Sequence, residues 1–131
     1  FNLTLNFNPS DNGDSLLVYC SETDEGLGDF TAVVIKDHHI EFRFDVGGGM
    51  GIARSNYVIQ PGVWTRLTIS RESRNGSLSV NGEPTVRGHS SGTTGKMTLA
   101  TPLYVGGVNK TKIKINRHVG VTRHFHGCVN E

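Results

Sequence analysis

Very little in this sequence favours helix. No run of ten or more residues keeps a 3.6-residue apolar period. No stretch approaches the ~18 apolar residues that a membrane-crossing helix needs, so membrane insertion is not expected. Cysteine is scarce: two residues, Cys20 and Cys128, make no disulfide framework. Aromatics are 8% of the chain, with a single Trp, and no phosphate-binding loop motif is present. Net charge is only +1 and no recognition element stands out, which argues against nucleic acid as a partner. No secretory leader is visible. Phe1 already lies in strand-like sequence, so the chain reads as a piece cut from a longer protein.

What is present is glycine, 17 residues in a chain of 131, and strict alternation. Leu3, Leu5 and Phe7 face one way and Asn2, Thr4 and Asn6 the other, the period of a half-buried strand. Further strands are expected over Leu16–Cys20, Phe30–Lys36, Ile40–Val46, Trp64–Arg71, Ser77–Val80, Lys96–Leu99 and Leu103–Val105. Turns are expected at Asn12-Gly13, Asp37-His38-His39, Pro61-Gly62, Asn75-Gly76 and Asn81-Gly82. Trp64 is expected to pack in the core with Leu67 and Ile69. The length suits one domain over residues 1–131. Short strands with frequent turns imply an all-β antiparallel sandwich or barrel.

Charge is unevenly spread. Residues 1–29 carry six carboxylates (Asp11, Asp14, Glu22, Asp24, Glu25, Asp29) and no Lys or Arg, while Lys110, Lys112, Lys114, Arg117 and Arg123 gather near the end. Either the two ends are solvated surface, or one is cation-binding and the other anion-binding. If the 110–114 segment is extended, its three ammonium groups share one face about 7 Å apart, a pitch that suits a sulfated glycosaminoglycan. Arg117, His118 and Arg123 could widen that stripe. Its alternative is an ordinary polar strand face or exposed loop. Three sequons, at Asn2, Asn75 and Asn109, lean towards a secreted glycoprotein.

Catalytic patterns do not hold up. Gly88-His89-Ser90-Ser91-Gly92 has nucleophile-elbow spacing, but Thr93-Thr94-Gly95 leads on to strand, not to the helix that such an elbow needs. Glu41 and Asp45 share a strand face yet stand about 13 Å apart, too far for a glycosidase pair. His124 and His126 could share a face, but no third zinc ligand is evident.

Four blocks carry a resemblance: Ser15-Leu16-Leu17-Val18-Tyr19; Gly28-Asp29-Phe30 running into Ile40 to Gly47; Pro61-Gly62-Val63-Trp64 running to Asn81-Gly82; and Leu103-Tyr104-Val105-Gly106-Gly107 with Phe125-His126-Gly127-Cys128. Their order and spacing resemble the laminin G-like family, nearest to the domains of basement-membrane proteoglycans. The resemblance implies a legume-lectin-like jelly roll of two curved sheets. It implies an extracellular matrix or cell-surface binding module, secreted or part of an ectodomain, and not an enzyme. Its partners would be acidic or sulfated glycans, or matrix and cell-surface proteins.

The resemblance also implies a chain that continues past Glu131, with Cys128 pairing a cysteine beyond it. Cys20 then reads as a small buried hydrophobe, although a Cys20–Cys128 bridge stays open. In the family a Ca²⁺ site on the loop rim matches Asp29, the Val46 and Leu99 carbonyls and, in place of an acid or amide, the Thr101 hydroxyl. One charged ligand fewer should weaken such a site. A metal-independent domain that binds protein or heparan sulfate is the alternative.

Overall fold

Among the described residues, period-two alternation and tight turns build ten strands: β1 (Asn2–Pro9), β2 (Ser15–Ser21), β3 (Phe30–Lys36), β4 (His39–Asp45), β5 (Met50–Val58), β6 (Thr65–Glu72), β7 (Asn75–Val80), β8 (Val86–His89), β9 (Tyr104–Val105) and β10 (Gly127–Asn130). The structure is a computed structural model that describes residues 1–93 and 95–130. The strands form two five-stranded antiparallel sheets, ordered β10-β1-β6-β7-β8 and β5-β4-β3-β2-β9. Leu5 and Phe7 of β1, Leu67 and Ile69 of β6, and Leu78 and Val80 of β7 face Val33, Ile35, Phe42 and Phe44 of the other sheet. Each such side chain, fully buried, contributes about 1.5–3 kcal/mol. The expected jelly-roll sandwich is what forms.

The second sheet has a further core on its outer face. Leu16, Tyr19, Phe30, Ala32 and Val34 pack there against Val108, Ile113, Val119 and Val121. The long segment after β9 therefore lies over the sheet, and a 3-10 turn at Arg117–Val119 sits within it. This explains why Leu16, Leu17, Val18 and Tyr19 form an unbroken apolar run: both faces of β2 are covered.

Several expectations need correction. Trp64 is 53% exposed and precedes β6. Leu67 and Ile69 are odd positions, so period two sends residue 64 to the opposite, outer face. Asn75-Gly76 is not a turn, because the hairpin closes at Ser73-Arg74, with Glu72 opposite Asn75. Gly76 lies instead under an aromatic ring, where a β-carbon would stand 2.4 Å from Phe44. Lys96–Leu99 forms no strand, and the Thr98 N–H within it serves the loop rim described below. Strand β5 was not expected, because its buried positions are the small residues Gly51, Ala53 and Ser55. The turns at Asp37-His38 and Asn81-Gly82 form as expected, with φ of 49°, 70°, 53° and 74°.

Candidate functional site at the loop rim

The register of the second sheet places the expected site. Phe30 pairs with Asp45 at the last rung between β3 and β4, so Asp29 and Val46 are the next residues outward. On the other side, Ser21 pairs with Phe30, and the Glu22 N–H donates to the Asp29 carbonyl at 2.9 Å. Asp29 is largely buried. Its Oδ2 accepts the Thr98 N–H at 2.9 Å, and its backbone N–H donates to Glu22 Oε1 at 3.1 Å. A β-carbon on Gly47 would stand 3.3 Å from Asp29 Oδ1. Asp29, Val46–Gly47 and the 97–101 segment thus meet at one rim. Glu22 entered the sequence reading only as one of six carboxylates in residues 1–29; its place one rung beyond β2 is what sets it beside Asp29.

Three of the four expected calcium ligands carry hydrogen bonds to other parts of the protein. The Val46 carbonyl accepts a guanidinium N–H of Arg74 at 3.2 Å. The Thr101 hydroxyl accepts the Ser21 N–H at 2.9 Å and donates to the Pro102 carbonyl at 3.2 Å. Of the Asp29 carboxylate, Oδ2 is taken by Thr98. Ca²⁺ takes six to eight oxygens at about 2.3–2.6 Å. At the Val46 carbonyl a cation would share the oxygen with Arg74, at Thr101 with the Ser21 N–H, and at Asp29 Oδ2 with the Thr98 N–H. Among the described residues, no group of three or more His, Cys, Asp or Glu side chains gathers at metal-binding range.

Beside the rim runs a cleft of ≈ 420 Å³ between loop 25–28 and segment 114–118, lined in part by Glu25, Leu27, Asp45, Lys114, Arg117 and His118. Its walls are fixed from behind. The Lys114 N–H donates to the Asp24 carbonyl at 2.8 Å, and the Asn116 N–H donates to the hydroxyl of buried Tyr19 at 2.9 Å. The Asn116 side chain donates to the Gly28 carbonyl at 3.3 Å and accepts the His118 N–H at 2.9 Å. Asp45 Oδ1 accepts the N–H groups of Gly47 and Gly48 at 2.7 and 3.3 Å. Leu27 projects with 67% of its surface exposed.

The lysine stripe does not survive as a flat row. Residues Asn109 to Lys112 form a turn, in which the Lys112 and Ile113 N–H groups donate to the Asn109 carbonyl at 3.0 and 2.9 Å. The Asn109 side chain stabilises it by accepting the Thr111 N–H and hydroxyl at 3.1 and 2.6 Å. Ile113 is buried while Lys110, Lys112 and Lys114 are exposed. Arg123 points elsewhere: its guanidinium forks onto Asp11 at 3.1 and 2.7 Å. That fork, then the Gly13 N–H, hold the Asp11 carboxyl down to about 2. This pair lines a larger hollow of ≈ 620 Å³. The hollow lies at the other end of the second sheet, near Asp14, which pairs with Lys36 at 2.9 Å. The acidic beginning and basic end of the chain thus lie against each other.

The remaining candidates separate. The ring of His124 bonds to the Val108 carbonyl and that of His126 to Arg123, at 2.6 and 2.9 Å, so the two share no site. Ser90 is buried, and its hydroxyl donates to the Gly49 carbonyl at 2.5 Å. Glu41 is held by Arg43 and Arg54. The sequon residues Asn2, Asn75 and Asn109 are all exposed. Cys20 is buried and Cys128 exposed, and they are not bridged to each other.

Fold and site together define a jelly-roll β-sandwich whose charged candidate groups are gathered on its loops. The chain belongs to the laminin G domain family, whose model matches residues 10–131. It is 39% identical to pikachurin of Rattus norvegicus over 98% of this chain. It is 32% identical, over 90% of this chain, to the basement membrane-specific heparan sulfate proteoglycan core protein of Mus musculus. The chain spans 13% and 3% of the lengths of those relatives. The LG1–3 region of the laminin α2 chain matches with a TM-score of 0.83 at 28% identity, covering 99% of this chain and 26% of that one. Domains LG4–5 of mouse laminin α1 match with a TM-score of 0.81 at 18% identity, covering 98% and 33%.

Proposed function

We propose that this domain is an extracellular matrix binding module that takes acidic glycan in the cleft between loop 25–28 and segment 114–118. The observation that carries the reading is the placement of Lys114, Arg117 and His118 on a cleft shared with exposed Leu27. Arg117 presents a planar fork suited to carboxylate or sulfate, Lys114 a point charge, and Leu27 an apolar patch for the carbon face of a sugar ring. The role is binding and not turnover, and it needs no metal. Secretion belongs to the same reading, with Asn2, Asn75 and Asn109 as glycan acceptors and Cys128 pairing beyond Glu131.

The test is elution from immobilised heparin in a salt gradient. Replacing both Lys114 and Arg117 with Ala should bring elution to clearly lower salt, since each lost contact to a polyanion reduces the electrostatic attraction. Unchanged elution refutes the cleft as the glycan site. A protein partner on the same rim is the second reading, favoured by the exposure of Leu27. In that case Leu27→Ala weakens partner binding while heparin retention stays as it was.

A further inference from the structure

Arg74 occupies the tip of the β6–β7 hairpin, a position where arginine is ordinarily solvated, yet it is only 5% exposed. Its guanidinium runs beneath the rim. One terminal nitrogen donates to the carbonyls of Val46 and Gly47, both at 3.2 Å. The other donates to the Ser90 carbonyl at 3.3 Å, to Ser90 Oγ at 3.4 Å and to the Ser91 carbonyl. Ser90 Oγ ties the same loops together, donating to the Gly49 carbonyl and accepting the Val46 N–H at 3.1 Å. Gly92, at φ 122°, leaves room for the group: a β-carbon there would stand 2.4 Å from a guanidinium nitrogen.

Backbone carbonyls from two loops thus converge, with a hydroxyl, on a single positive charge. Neutral oxygens of this kind are also what a hard divalent cation takes. A guanidinium suits a buried position better than a hydrated ion, because it is weakly hydrated, always charged and able to spread five N–H donors over several acceptors. We propose that Arg74 is the resident cation of the rim, holding loops 46–49 and 90–92 in place, so that the rim keeps its shape without calcium. The Val46 carbonyl, expected as a metal ligand, is the point where tethered and free cation would compete. Arg74 would play this part whichever ligand the cleft takes.

The test is amide hydrogen exchange and thermal unfolding of the wild-type domain in millimolar Ca²⁺ and in EDTA, beside Arg74→Met and Arg74→Lys. For the wild type, the midpoint and the protection of the 46–49 and 90–92 amides should be the same in both solutions. In each variant those amides should exchange about ten-fold faster while β3 stays protected, because hydrogen bonds to a charged group are lost or weakened. Arg74→Lys gives the same readout should Arg74→Met fail to fold. Saturable calcium binding that raises the wild-type midpoint overturns the proposal. So does wild-type protection of the rim amides in a folded variant.

Discussion

Glu41 offers the sharpest test of how the second sheet is held together. Its carboxylate is 5% exposed and receives Arg43 Nε at 2.8 Å, a terminal nitrogen of Arg43 at 2.7 Å, and Arg54 from the neighbouring strand. Glu41→Gln keeps the volume and removes the charge. Arg43 is then left mostly buried, its other terminal nitrogen still on the Val119 carbonyl at 2.7 Å, with no anion beside it. Breaking a buried pair this way costs about 3–5 kcal/mol. The side chain of Arg54 is 41% exposed and can return to water, which places the expected loss near 3 kcal/mol. For a domain of this size that lowers the thermal midpoint by roughly 10 °C. Removing Arg54 instead, by Arg54→Ala, should cost below about 1 kcal/mol, because Arg43 still neutralises the carboxylate. The assay is urea unfolding followed by circular dichroism for both variants, with the slope m checked for constancy. Equal losses, or a Glu41→Gln loss under about 1 kcal/mol, would refute the assignment of Arg43 as the partner that burial makes dependent on Glu41.

Two further perturbations probe other parts of the fold. Asp11, held down to about 2 chiefly by Arg123, adds stability that is complete above the ordinary aspartate range and is lost as pH falls through the folded value. The thermal midpoint should therefore drop between about pH 4 and pH 2, and Asp11→Asn should flatten that limb; an unchanged limb counts against the pairing. Gly88→Ala should destabilise by about 1–3 kcal/mol. Its β-carbon would stand 2.4 Å from the Ile52 carbonyl oxygen, and backbone cannot step aside as a side-chain tip can. Urea midpoints equal to wild type would show that β5 and β8 do not approach so closely.

The sequence made the architecture legible wherever large apolar residues kept step with the strand. Leu5 and Phe7, or Phe42 and Phe44, announced their faces. It hid β5 because that strand turns Gly51, Ala53 and Ser55 inward and leaves Ile52 outside. Trp64 misleads by its size, when counting by twos from Leu67 puts it on the outer face. Asn75-Gly76 carried the stronger turn chemistry, but the hairpin closes two residues earlier, which sets Gly76 beneath Phe44. Of the site, Asp29 and Val46 were placed through the resemblance, and the sheet register brings them together. Lys114 and Arg117 were visible as charges, yet the Asn109 turn that breaks up the row depends on a single side chain accepting two bonds. Arg74 had no signature at all, since its partners are mostly backbone carbonyls, which every residue possesses.

The apolar underside of the segment after β9 bears on how a ligand would be held. Val108, Ile113, Val119 and Val121 bury themselves on the outer face of the sheet, so the segment cannot lift away without exposing them to water. Opening it locally should therefore cost much of what unfolding the domain costs. The conformational entropy of the loop bearing Lys114 and Arg117 is spent when the chain folds, not when a ligand arrives. Association should then need no loop rearrangement, and differences in affinity among ligands should lie mainly in how slowly they leave.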